Sequence, residues 1–157
     1  MAEFSLSARS LDRLRGVNPK LQAVVRRAIK LTRVDFGVIE GVRTLERQQE
    51  LFDSKASQTM KSKHLADEDG YGRAVDLMAY IKNRGCWELT VYDDIADAMK
   101  EAAQDADVNI RWGCAWHIKN IADFDGTMEE AMNAYIDFKR ISGKRPFLDG
   151  PHFELGE

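Results

Sequence analysis

The chain has 157 residues, 44% hydrophobic and 31% charged, and 23 lysines and arginines against 26 acids leave a net charge of −3. This composition excludes a disordered tail or a fibre, and the near-balance of charge gives no global case for nucleic acid. No apolar run approaches the ~18 residues that span a membrane, so membrane insertion is not expected. At this length a fold buries roughly 70% of its unfolded surface without disulfide staples, and a single domain over residues 1–157 is expected. The start, Met1-Ala2-Glu3-Phe4-Ser5-Leu6, lacks the basic and apolar stretches of a signal peptide, so the protein is expected to be made and kept in the cytoplasm. Cys86 and Cys114 form no CxxC pair; free buried thiols are expected, and a cysteine zinc site is excluded.

In chain order, residues 9–33 hold eight basic side chains opposed only by Asp12. They make either a solvated helix face or a surface that attracts a polyanion. The first strong helix starts at Asn18-Pro19, with Leu21, Val24, Val25, Ala28 and Ile29 on one face. Residues 35–42 read as a strand delivering Arg43 to its end, after which Thr44 caps a helix through Phe52 with Leu45 and Phe52 as its apolar positions. Residues 53–73 form a long polar loop of the kind that carries function. Residues 74–80 read as a second strand, with Asp76 inside an otherwise apolar run. A helix follows from Thr90, buried along Ile95, Met99, Ala102 and Ala103, and residues 87–107 carry seven acids opposed only by Lys100, a solvated face. Residues 108–112 are a third strand. Thr127 and Glu130 form a capping box for a last helix through Phe138, with Ala131, Ala134, Tyr135 and Phe138 along one side. Gly150-Pro151 leads into a closing strand, His152-Phe153-Glu154-Leu155. Without regular alternation of helix and strand, this order predicts an α+β fold with a small, largely antiparallel sheet packed by helices.

Only three histidines are present, His64, His117 and His152. A carboxylate inside a strand needs a cation or donors beside it, because burying it unpaired costs several kcal/mol. Two imidazoles and one carboxylate, here His64, His152 and Asp76, are a known zinc ligand set that leaves a fourth position for water. The wide separation of the three along the chain makes spacing alone a weak signal.

Taken in order, Ser62-x-His64, Gly72-x-Ala74-x-Asp76 and Asp149-x-x-His152-x-Glu154 resemble the motifs of a zinc peptidase family. That family includes D-alanyl-D-alanine carboxypeptidases and dipeptidases and, most similar here, the L-alanyl-D-glutamate endopeptidases used as phage endolysins. Gly41-Val42-Arg43-Thr44 with Gln48, and Trp112-Gly113 with Trp116, are similar to two further segments of the family. The resemblance implies zinc on His64, Asp76 and His152 in a cleft, Asp149 as general base and Arg43 as oxyanion stabiliser, with Ser62, Gln48 and Trp116 contacting substrate. From the residues alone, Asp149-Gly150 is equally a turn pair and Arg43 a surface ion pair.

The implied function is a zinc metallopeptidase that hydrolyses the L-alanyl-D-glutamate bond of peptidoglycan stem peptides. The alternatives are a D-alanyl-D-alanine carboxypeptidase of the same fold and an inactive wall-binding or phage structural protein. With no separate wall-binding domain, the basic N-terminal region would meet the anionic wall. The enzyme is expected to be a monomer held in the host cytoplasm until the membrane is permeabilised. Two departures stand out. Seven residues, Leu65–Tyr71, separate His64 from Gly72 where the family has two. Their acids Asp67, Glu68 and Asp69 are read first as a solvated loop tip, with a second cation site or an alternative ligand source as the other readings. The segment before Trp116 also lacks the acid often found there; His117 follows and is read as an ordinary exposed histidine.

Overall fold

Asn18 caps helix α2 (Pro19–Leu31) by accepting from the Lys20 N–H at 2.9 Å, and proline occupies the first turn where no N–H is needed. The computed structural model describes residues 3–55 and 62–156. Ahead of α2 lies a short helix α1 (Ala8–Leu14), capped by Ser7, which the sequence reading did not anticipate. Its seven residues carry only Leu14 as a fully buried apolar side chain, too little for a helical period. Strand β1 (Asp35–Glu40), helix α3 (Leu45–Asp53), strands β2 (Ala74–Ile81) and β3 (Arg84–Cys86), helix α4 (Leu89–Ala106), strand β4 (Ile110–Gly113), helix α5 (Met128–Ile141) and strand β5 (Asp149–Leu155) follow.

The five strands form one antiparallel sheet in the order β1-β2-β5-β4, with β3 also paired to β2. The α+β class and antiparallel sheet agree with the sequence. Along β2, Val75, Leu77 and Ala79 are buried while Asp76, Met78 and Tyr80 are half-buried, the period of two that separates a core face from an open one. Val75, Leu77 and Phe153 share the core with α2 and α4, where Trp112 stacks on Phe153 with ring centroids 6.3 Å apart. The unanticipated β3 is joined to β2 by Lys82 and Asn83, both at positive φ, the conformation of a tight two-residue hairpin.

Two helices bury a different side from the one expected. Leu45 and Phe52 of α3 are exposed, and its buried residue is Gln48. On α5, Ala134 and Phe138 face solvent while Met128, Ala131, Met132 and Tyr135 are buried; the capping box at Thr127 and Glu130 is present. The acidic face of α4 is not uniformly solvated, since Asp93 is buried. Cys114 is a buried free thiol whereas Cys86 is only half-buried.

Candidate metal centre

The open face of the sheet carries the polar groups. In register, Asp76 on β2 lies opposite His152 on β5, and alternation along β5 sends Phe153 and Leu155 into the core while His152 and Glu154 share the other face. A bulge at the end of β1 brings Glu40 opposite Asp76. His64 arrives from the loop before β2, tied to the end of β1 by the Arg43 N–H donating to the His64 carbonyl at 2.7 Å.

Asp76 Oδ1 is 3.3 Å from His64 Nε2 and 3.2 Å from His152 Nδ1. The two imidazoles meet edge to face, with centroids 5.2 Å apart. One ligand atom from each of the three residues lies within 4.8 Å of the others. Ligands about 2.0–2.1 Å from a tetrahedral ion sit roughly 3.4 Å apart, so the two measured separations match such an ion.

The tautomers agree with that use. His64 Nδ1 is 2.9 Å from the Gly41 carbonyl and must donate its proton there, which leaves the Nε2 lone pair facing Asp76. That buried nitrogen has no hydrogen-bond partner, an arrangement a polar atom rarely tolerates unless something binds it. His152 Nε2 donates to Glu154 Oε1 at 2.8 Å, directing Nδ1 to the cluster. Burial opposes charge on His152, but hydrogen bonds to Asp76 and Glu154 push its pKa up to about 9. Burial would raise the Asp76 carboxyl, yet the hydrogen bond from His152 holds it far below the usual carboxylate range. A divalent cation would take the place of the His152 Nδ1 proton, and the spacing of the groups fits one, with Glu154 placed to orient His152.

Arg43 is nearly buried beside this cluster. Its Nε donates to Glu40 Oε1 at 2.6 Å and its Nη1 to Gln48 Oε1 at 2.6 Å and Ser62 Oγ at 3.2 Å. Gln48 and Ser62, expected at the substrate, both meet Arg43, and Ser62 Oγ also accepts from the His64 N–H at 3.1 Å.

Asp149 opens β5, and its backbone presses on Gly113 so closely that a Cβ there would stand 2.1 Å from the Asp149 carbonyl oxygen. Any side chain at 113 would displace Asp149. Its pKa is raised by burial and by the negative charge of Asp76, with His152, His64 and Arg43 pulling the other way. Cys114, next to Gly113, is pushed up to about 12 by burial and by Asp149, which leaves it an inert thiol.

Trp116 lies against His152, centroids 5.5 Å apart, and stacks on exposed Phe147 at 6.1 Å. His117 is exposed and stacks on Tyr135, with a pKa lowered by partial burial. Of the polar loop, residues 56–61 lie outside the described residues. The Leu65–Tyr71 insertion folds as a small turn around Asp67, whose Oδ1 accepts from the Asp69 and Tyr71 N–H groups and whose Oδ2 meets Arg73. Asp67 is thus part of the loop's framework, whereas Glu68 and Asp69 are exposed as a tip. Sequence reasoning gave no role to Glu154, Glu40 or Phe147. The i, i+2 spacing of His152 and Glu154 on a strand, and the i, i+3 spacing of Glu40 and Arg43, were the available signals.

The family described as phage L-alanyl-D-glutamate peptidase matches residues 1–156. An L-alanyl-D-glutamate peptidase of Escherichia phage T5 is 29% identical over 156 residues, spanning 97% of this chain and 98% of the relative. The crystal structure of the Serratia marcescens L-Ala D-Glu endopeptidase ChiX is similar with a TM-score of 0.71 and 33% identity, over 98% of this chain and 90% of that one. With a family match along its whole described length and an antiparallel sheet that gathers two histidines and an aspartate on its open face, this chain belongs to the phage L-alanyl-D-glutamate peptidase family.

Proposed function

We propose that this chain is a zinc-dependent endopeptidase that hydrolyses the L-alanyl-D-glutamate bond in the stem peptides of bacterial peptidoglycan. The observation that carries the reading is the convergence of His64, Asp76 and His152, with a buried histidine nitrogen left without a partner at their centre. A zinc ion held there would polarise the scissile carbonyl and acidify a water molecule.

The chain's own groups supply the rest. Asp149 takes the proton of the attacking water and returns it to the leaving amine, and its raised pKa brings it closer to the range where it exchanges protons readily. Arg43 faces the carbonyl oxygen as negative charge develops. Glu40, Gln48 and Ser62 occupy its Nε and Nη1, so Nη2, which makes no hydrogen bond among the described residues, is the donor that remains. Gln48 and Ser62 act through Arg43 as positioning residues, and Trp116 forms an aromatic wall beside His152 for the substrate.

The wall is reached from the host cytoplasm after the membrane is permeabilised. No helix among the described residues is long and apolar enough to cross a membrane. The eight basic side chains between residues 9 and 33 are all exposed and offer contact to the anionic wall. Digestion of purified peptidoglycan, followed by mass spectrometry of the new ends, tests the reading. New L-alanine carboxyl and D-glutamate amino termini are expected; free D-alanine as the sole product would replace it with a carboxypeptidase.

A further inference from the structure

We infer that a cationic cavity beside the metal centre, lined by Lys63, Arg111 and Lys119, binds the free carboxylate of the substrate's acidic residue; this rests on the reaction proposed above. The cavity has a volume of about 410 Å³ and is completed by Glu154, Leu155 and Gly156, a size ordinary for a small-ligand site. His152 and Glu154 share one face of β5, and Arg111 on β4 stands in register with Glu154. The cavity therefore sits on the same side of the sheet as the metal-binding groups, two strand residues or about 7 Å along.

Its charge is unbalanced. Glu154 is the one acid in the lining, and its Oε1 accepts from His152, leaving Oε2 at 3.9 Å from Arg111 Nη1. Arg111 is fixed by Nη2 donating to the Trp116 carbonyl at 2.7 Å and by lying over the Trp116 ring at 5.3 Å. Its Nε is buried with no partner. Lys119 makes no salt bridge among the described residues, and Lys63 acts on Glu154 only through its charge, without a direct ion pair. Three cations against one already engaged carboxylate, with a guanidinium held rigid, make a site for a planar anion.

The substrate supplies one. Glutamate has two carboxyl groups, and when one continues the chain the other is free. Counted in covalent bonds, it lies no more than about 5 Å from the scissile nitrogen. The near edge of the cavity is Glu154, which itself contacts His152, so a carboxylate this close to a nitrogen at the metal centre lies toward the cavity's mouth. The same site would reject the carboxamide, which cannot satisfy the charges.

The test compares soluble wall fragments whose D-glutamyl residue keeps its free carboxylate with fragments in which that group is a carboxamide. The wild-type enzyme is expected to prefer the carboxylate by roughly tenfold or more in kcat/KM, mainly through KM, as for a charge-assisted hydrogen bond. The preference should shrink with added salt. Lys119→Gln and Lys63→Gln should each cut the preference several-fold, with zinc content measured to show that the metal centre stands. Equal cleavage of both fragments, or a preference that survives in both variants, overturns the carboxylate site and leaves the proposed reaction standing. Cleavage of neither fragment by the wild type overturns the reaction and this inference together.

Discussion

Glu154 grips His152 from the side of the ring opposite the cluster, so the nitrogen proposed to hold zinc is aimed by a residue outside the proposed ligand set. Removing that grip should weaken zinc binding by roughly 10–100-fold in Glu154→Gln, measured by competition with a chelator. Replacing a ligand is more severe: His64→Ala and His152→Ala should lose stoichiometric zinc by elemental analysis, and full occupancy in both would remove them from the ligand set. Asp149→Asn separates chemistry from binding. It should keep zinc and fold but lose hydrolysis by roughly 10²–10⁴-fold, the size of a general-base contribution. Arg43→Lys should lose turnover as well, about 10²-fold, because an ammonium cannot serve Glu40, Gln48 and Ser62 and still present a donor. Near-normal rates in either variant would take that residue out of the mechanism. At this scale the motifs pointed to the residues themselves. Their partners were hidden because a hydrogen bond such as Gln48 to Arg43 depends on which side of α3 is buried, and its two large apolar residues point outward.

On α4, Asp93 is buried among like charges, and burial, with Asp94, Glu129 and Asp97 nearby, raises its pKa to about 6. The native state then holds a proton that the unfolded chain releases near the ordinary carboxylate pKa. Stability therefore falls as pH rises through that window and stays lower above it. Asp93→Asn should raise Tm by roughly 2–4 °C at pH 7.5, with the gain vanishing by pH 4 in thermal scans; no gain at pH 7.5 would show that the carboxylate is satisfied in place. In the Leu65–Tyr71 turn, Asp67→Ala should lower Tm, since the Asp69 and Tyr71 N–H groups and Arg73 lose their acceptor. Glu68→Gln with Asp69→Asn should keep zinc and activity, and loss of zinc there would mean that the tip holds a cation. Helices α2 and α5 were legible from their caps, and α4 from its buried stripe, because these are local signals. The exposed Phe138 was not, since an apolar side chain at helical spacing says nothing of which neighbour covers it.

Across the whole molecule, the α+β class and the strands were visible in the sequence, but their order in the sheet was not. Nothing local tells β5 to lie between β2 and β4, and that placement alone sets His152 opposite Asp76. The sheet's two central strands are thus distant in sequence, and their pairing must bear the entropy of closing a long loop before it gains any contact. A chain that has formed β1, β2 and the helices but not yet inserted β5 owns only His64 and Asp76 of the three proposed ligands, without Asp149 or Glu154. On the proposed mechanism such a chain would lack both a competent metal site and its general base. On the proposed ligand set, capture of the ion and completion of the sheet would be the same event, and metal uptake would serve as a clock for the last step of folding.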